Sequence, residues 1–240
     1  AGAHPEMADW VRTALGATDQ GEDRLERLLL RGGLCAVAWI AAGRAERLQE
    51  ELDSAEDAPL RGYYRFQHLW ARAALALAAR APEQAWKLAE RAYATCRADF
   101  LFRLRTVRIE MHDLRARCAL TLAARSGGSA ALERAVAGSI RRLEREEGDW
   151  PAGLAAANAG LLAFRRGQRE YAREKLAEAK ICFERGGMRL HAHAARARLA
   201  ELTGRPLESP DSWRLWLEEG GAARLAAIID VVLAPLGARA

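Results

Sequence analysis

ARAALALAAR at Ala71–Arg80 and ARCALTLAAR at Ala116–Arg125 agree at eight of ten positions, 45 residues apart. Both are built from Ala and Leu, strong helix formers, and Ala is small enough to let helices stack closely. Such self-similarity predicts an array of repeated helical units. Working outward, small residues recur at matching distances. Ala73, Ala85 and Ala92, then Cys118, Ala130 and Ala137, then Gly160, Ala172 and Ala179 all keep spacings of 12 and 7 residues. The first of each triad falls on a leading helix, and the other two share one face of the following helix. A helical hairpin needs small residues where its backbones cross most closely, so the spacing has a mechanical reason.

Gly and Pro punctuate the chain at Gly32-Gly33, Gly43, Pro59, Pro82, Gly127-Gly128, Pro151, Gly167, Gly186-Gly187, Gly204-Pro206 and Gly220-Gly221. Between these breaks apolar residues return every three or four positions, the amphipathic-helix signature. The pattern predicts helices near 6–16, 22–42, 44–55, 60–80, 82–97, 99–125, 129–147, 151–166, 168–185, 188–203, 210–219 and 222–236. Short connections make neighbouring helices antiparallel. Half of the 240 residues are hydrophobic but only 7% aromatic, and β-branched residues gather only at Ile228–Val232. No sheet is expected.

Gly160, Gly167, Ala172 and Ala179, within Ala152–Arg185, fall at the spacing of the conserved small residues of the tetratricopeptide repeat (TPR) family. The stretch GQREYAREKLAEA (Gly167–Ala179) resembles that family's turn and second helix. Ala156 and Ala163 replace its large aromatic residues, no Pro closes the unit, and the triads are offset by 45 and 42 residues. The family's usual period is about 34 residues, so these units are degenerate. A weaker unit holds Ala36, Gly43, Leu48 and Ala55, and half of another ends at Leu199–Gly204. The resemblance implies an all-α fold: a right-handed superhelical array of antiparallel helix pairs, a TPR-like α-solenoid. It forms one domain over 1–240, with repeats at about 28–204 and caps at 6–31 and 210–236.

GGMRLHAHAARARLAELTGR (Gly186–Arg205), followed by Trp213–Gly221 and Arg224–Pro235, is similar to the helical tail of large bacterial signalling proteins. These join a Ser/Thr kinase or cyclase and a STAND-type ATPase to a TPR region. The closing motif here departs from theirs, reading Leu233-Ala234-Pro235-Leu236-Gly237, with no Pro in the segment before it. The resemblance implies a sensory or scaffolding arm, and the absence of an initial Met suits a fragment of a larger polypeptide. Trp213 and Trp216, three apart, are expected to cap the array's end in preference to docking on a partner.

The resemblance also implies a concave wall lined by the leading helices. Family geometry places Gln67, Trp70, Ala74 and Leu77 on it in one unit, and His112, Arg115, Ala119 and Leu122 in the next. Leu154, Ala157, Leu161 and Phe164 follow, then His191 and Arg198, with Arg108 extending a basic strip seven residues before Arg115. Such a wall suits an extended or helical segment with apolar anchors and an acidic group. In the alternative arrangement, long Ala-rich helices narrow the groove and the last two helices fold back to fill it, leaving the convex face or the ends for partners.

No phosphate loop, dinucleotide fingerprint, zinc-protease or nucleophile-elbow motif occurs. His191 and His193 point about 200° apart on a helix and cannot share a metal. His68 and His112, at similar places on neighbouring leading helices, are read as packing or surface residues. Cys35, Cys96, Cys118 and Cys182 are far apart and read as buried free thiols in a reducing cytosol. No signal peptide or membrane-length apolar run is present. The net charge of +5 is carried by Arg, with Lys only at Lys87, Lys175 and Lys180. That balance reads as a GC-rich genome's habit, because acidic residues lie beside the basic clusters.

The expectation is therefore a non-catalytic, cofactor-free cytoplasmic domain for protein–protein interaction, scaffolding or sensing. Its partner is a protein, a peptide or other domains of its own polypeptide, with no membrane role. A small-molecule sensing arm of a STAND-type regulator is the alternative, with an Arg-mediated nucleic-acid binder less favoured.

Overall fold

The computed structural model describes residues 36–37, 39–40, 43–54, 60–127, 129–204 and 228–236, and every regular element among them is helical. The helices are α1 (Ala45–Asp53), α2 (Gly62–Ala78), α3 (Pro82–Ala98), α4 (Arg105–Ser126), α5 (Ala130–Leu143), α6 (Asp149–Arg165), α7 (Arg169–Arg185) and α8 (Arg189–Thr203). A 3-10 turn, Leu101–Arg103, precedes α4, and residues 228–232 are helical. The expected helices at 6–16 and 210–219, most of 22–42, Cys35, Trp213 and Trp216 lie outside the described residues.

The breaks follow from local chemistry. Pro82 begins α3, where its missing N–H costs nothing. The Ser129 side chain accepts from the Leu132 N–H at 3.2 Å and caps α5. Each helix packs on its neighbours in sequence from α1 to α8, and α4 also packs on α2 and on α6. The buried apolar residues form one cluster that runs from Ala36 to Leu236. Among the described residues, no helix is long and apolar enough to cross a membrane.

Two of the three small-residue triads mark close crossings. Ala73, Ala85 and Ala92 are fully buried, as are Ala172 and Ala179. A Cβ on Gly160 would stand 3.1 Å from the Ala172 carbonyl oxygen. The middle triad fails: Cys118 is buried, but Ala130 is exposed and Ala137 half-buried. The inward face of α5 is Leu132, Ala135, Val136, Ser139, Ile140 and Leu143. With Ser129 as the cap, Ala130 occupies the first helical position and faces solvent.

The helix expected over 99–125 is interrupted. Phe100 takes a left-handed φ of 55°, and the chain makes its 3-10 turn before α4 begins. The turn brings Phe102 onto His112, stacked at 5.5 Å between centroids, and against Tyr93 at 5.2 Å. Asp99 ties the same corner to α2 by accepting the Gly62 N–H at 2.9 Å.

Gly153 lies on α6 opposite Phe183 of α7, and a Cβ there would come within 2.6 Å of that fully buried ring. Overpacking a core typically costs ~1–3 kcal/mol, more than the ~1 kcal/mol of helix propensity gained on replacing Gly. Gly153→Ala is therefore expected to lower stability in urea unfolding by about 1 kcal/mol, and Phe183→Leu in the same chain to restore part of it.

Candidate functional site

The helix α4 has two polar faces. At 100° per residue, Glu110, Asp113 and Arg117 lie along one side and Arg108, His112 and Arg115 along the opposite one. All three residues of the first set are buried. Arg117 Nε donates to Asp113 Oδ2 at 2.7 Å, and Asn158 Nδ2 of α6 donates to Asp113 Oδ1 at 3.0 Å and to Leu154 O at 2.9 Å. Gln67 of α2 hydrogen-bonds the Glu110 carboxyl. The Arg117 guanidinium sits 5.7 Å from the centre of the Trp70 ring, and its Nη1 donates to the backbone oxygen of Val231.

A second arginine reaches the same segment. Arg198 of α8 is 0% exposed. Its Nε donates to Ala234 O at 2.9 Å, and its Nη2 to Asp230 Oδ1 at 2.6 Å and Leu233 O at 2.7 Å. Its Nη1 is held by Glu201 Oε1 at 2.9 Å. Every guanidinium nitrogen thus has an acceptor, as a buried cation requires. The segment it holds is apolar: Ile228, Ile229, Val231, Val232, Leu233, Ala234 and Leu236 are all buried. Residues 228–232 form a short helix, so Val231, Leu233 and Ala234 offer carbonyls that lack helical partners. Cations are the natural cap for that end of a helix.

Electrostatics within the seam are unbalanced, with two buried carboxyls facing the single guanidinium of Arg117. Burial pushes Glu110 up to about 7, eased by the Gln67 hydrogen bond. Burial also raises Asp113, against the opposing pull of Arg117 and Asn158. Trp70 Nε1, Glu110 Oε2 and Asn158 Oδ1 are buried with no hydrogen-bond partner among the described residues.

The opposite face of α4 is organised differently. Arg108 grips Glu146 through Nε at 2.5 Å and Nη2 at 3.1 Å, and its Nη1 donates to Phe102 O at 2.9 Å. Arg115 Nε donates to Glu90 at 2.6 Å, with the guanidinium 4.5 Å from the Tyr93 ring centre and 5.7 Å from that of Trp86. Burial, reinforced by Arg142 and Arg115, lowers His112 to about 4.

The residues expected on one concave wall are thus divided. Gln67, Trp70 and Arg198 gather round the buried seam and residues 228–236, whereas Arg108, His112 and Arg115 turn away from it. Leu77 and Leu161 are buried in the common core. Phe164 lies under the Arg169 guanidinium at 5.7 Å, and His191 lies against the Phe183 ring at 5.1 Å. Glu110, Asp113, Arg117 and Asn158 were not anticipated. The signal available for the first three was their 3- and 4-residue spacing on one side of α4.

Other chemistry is sparse. Burial pushes the thiols of Cys96 and Cys118 up to about 12, far from the reactive thiolate. Among the described residues no group of three or more His, Cys, Asp or Glu side chains is placed to hold a metal ion. No family model matches the sequence, and no curated protein or solved structure matches it.

Glu110 gives a test of the seam. Its folded pKa, about 7, lies above the ordinary 4.5, so its contribution to stability is complete below pH 4.5 and is lost as pH rises through 7. Relative to wild type, Glu110→Gln is expected to gain stability steadily over that interval. The gain levels off above it at no more than roughly 3 kcal/mol, read from urea unfolding at pH 4, 6 and 8.

Proposed function

We propose that this chain is a non-catalytic interaction domain, a TPR-like superhelical array whose inner face holds a short helical segment of a protein partner. The observation behind this reading is that α4 and α8 already hold such a segment. Residues 228–236 bury their aliphatic side chains, and their carbonyls and Asp230 are taken by Arg117 and Arg198. This is helix-in-groove recognition, with apolar anchors for affinity and a few fixed polar contacts for orientation.

On this reading the chain serves as a scaffolding or sensory arm of a larger bacterial signalling regulator working in the cytoplasm, which the resemblance of Gly186–Arg205 to such helical tails supports. The nucleic-acid reading is weakened by the arginines' engagement. Arg105 and Arg108 pair with Glu146, Arg115 with Glu90, Arg166 with Glu133, Arg185 with Asp149 and Arg196 with Glu184. Cations already neutralised by carboxylates release few counterions from a phosphate backbone.

The chain immobilised as bait in nuclease-treated lysate of its source organism is expected to retain a specific protein. A synthetic peptide of residues 226–240 is expected to displace that protein. Retention of nothing above background would sink the interaction reading.

A further inference from the structure

We infer that the wall between Arg117 and Arg198 is a receptor for the C-terminal turn of an aliphatic helix, kept occupied by the chain's own residues 228–236, so that a partner enters only by displacing them. This rests on the interaction reading above and adds the chemistry of the partner and the device that regulates its access.

The resident segment defines what the wall accepts. Four contacts hold it: Arg117 to Val231 O, and Arg198 to Asp230 Oδ1, Leu233 O and Ala234 O, with Glu201 backing the Arg198 guanidinium from its own helix. Three of these read backbone carbonyls at the end of a helical turn, where such groups have no internal acceptor role to fill. One reads a carboxylate. Pro235 follows at once, and a proline cannot donate the amide that continuing the helix would need. The ligand class is therefore a short helix with an Asp, then aliphatic residues, then a break that leaves its last carbonyls bare.

Occupancy by the chain itself is strong enough to matter. Arg198 has no exposure, and its acceptors other than Glu201 all come from the segment. With the segment gone, Arg198 keeps only Glu201, and the other two nitrogens must find new acceptors. An empty wall is thus the unfavourable state. Exchange of one segment for another of the same chemistry restores the same contacts, and the competition reduces the apparent affinity of any partner by the fraction of chains that are open.

The test uses the full chain and a fluorescein-labelled peptide of residues 226–240, followed by anisotropy, with circular dichroism confirming that each variant is folded. Wild type is expected to bind the peptide weakly. Asp230→Ala in the chain removes the charge-assisted hydrogen bond to Arg198 from the resident segment and leaves the peptide unchanged, and peptide affinity is expected to rise about tenfold. Placing Asp230→Ala in the peptide as well is expected to cancel that gain, an arm that changes the ligand and nothing further in the chain.

A folded Asp230→Ala chain that binds the peptide no better than wild type overturns the inference, as does equal binding of the two peptides. Concentration-dependent dimerisation of that variant in place of peptide binding would overturn it too, by assigning the wall to a second copy's segment. A chain that captures a protein from lysate but fails here keeps the interaction reading and loses the self-held wall. One that passes here and captures nothing does the reverse.

Discussion

A guanidinium withdrawn wholly from water must have its nitrogens answered by fixed acceptors, because an unmatched buried cation costs several kcal/mol. That requirement at Arg198 joins α8 to residues 228–236. Arg117 makes the matching connection from α4, and through Asp113 it extends to Asn158 on α6. Beside it, Glu110 reaches Gln67 on α2. Alternate helices along the chain are thereby linked by one buried polar seam that residues 228–236 complete. Apolar packing supplies most of the cohesion, while the seam fixes which carbonyls face which arginine.

The two sides of α4 show how one helix serves two purposes. Its apolar residues alone do not form a clear stripe, since polar groups occur on opposite faces. On one face they pair inward across helices. On the other, Arg108 and Arg115 reach carboxylates of α5's trailing turn and of α3, partly open to solvent. The first face stays fixed by lost solvation, the second by geometry that salt can screen.

Helix identity and most boundaries were legible because Gly and Pro fall where the chain turns. Pro82 and Gly167 mark such places, and the helices they bound agree with expectation to within a residue or two. The break at Phe100 was not legible, because neither residue type occurs there and the cause is distant. The turn exists to bring Phe102 against Tyr93 and His112, contacts that a local pattern does not display. The misplaced triad at Ala130 and Ala137 has a similar origin: a one-residue change in where Ser129 starts the helix turns a small residue from the crossing to the surface. Around residues 228–236, Trp70 and Arg198 could be named from the spacing of the expected repeats. Arg117 could not, because the spacing carried from the family selects the face that holds Arg115. Both arginines also read backbone carbonyls of residues 231, 233 and 234, contacts that leave no trace in side-chain identity.

That backbone contact has a consequence for sequence. Arg117 and Arg198 read the carbonyls of residues 231, 233 and 234, which every amino acid carries. Exchanges among Val, Ile, Leu and Ala at those positions leave the hydrogen-bonding pattern intact and alter only fit. What the two arginines require of the segment is then where its helix stops and the carboxylate at 230. Two segments of quite different aliphatic sequence can therefore present the same set of acceptors to these arginines.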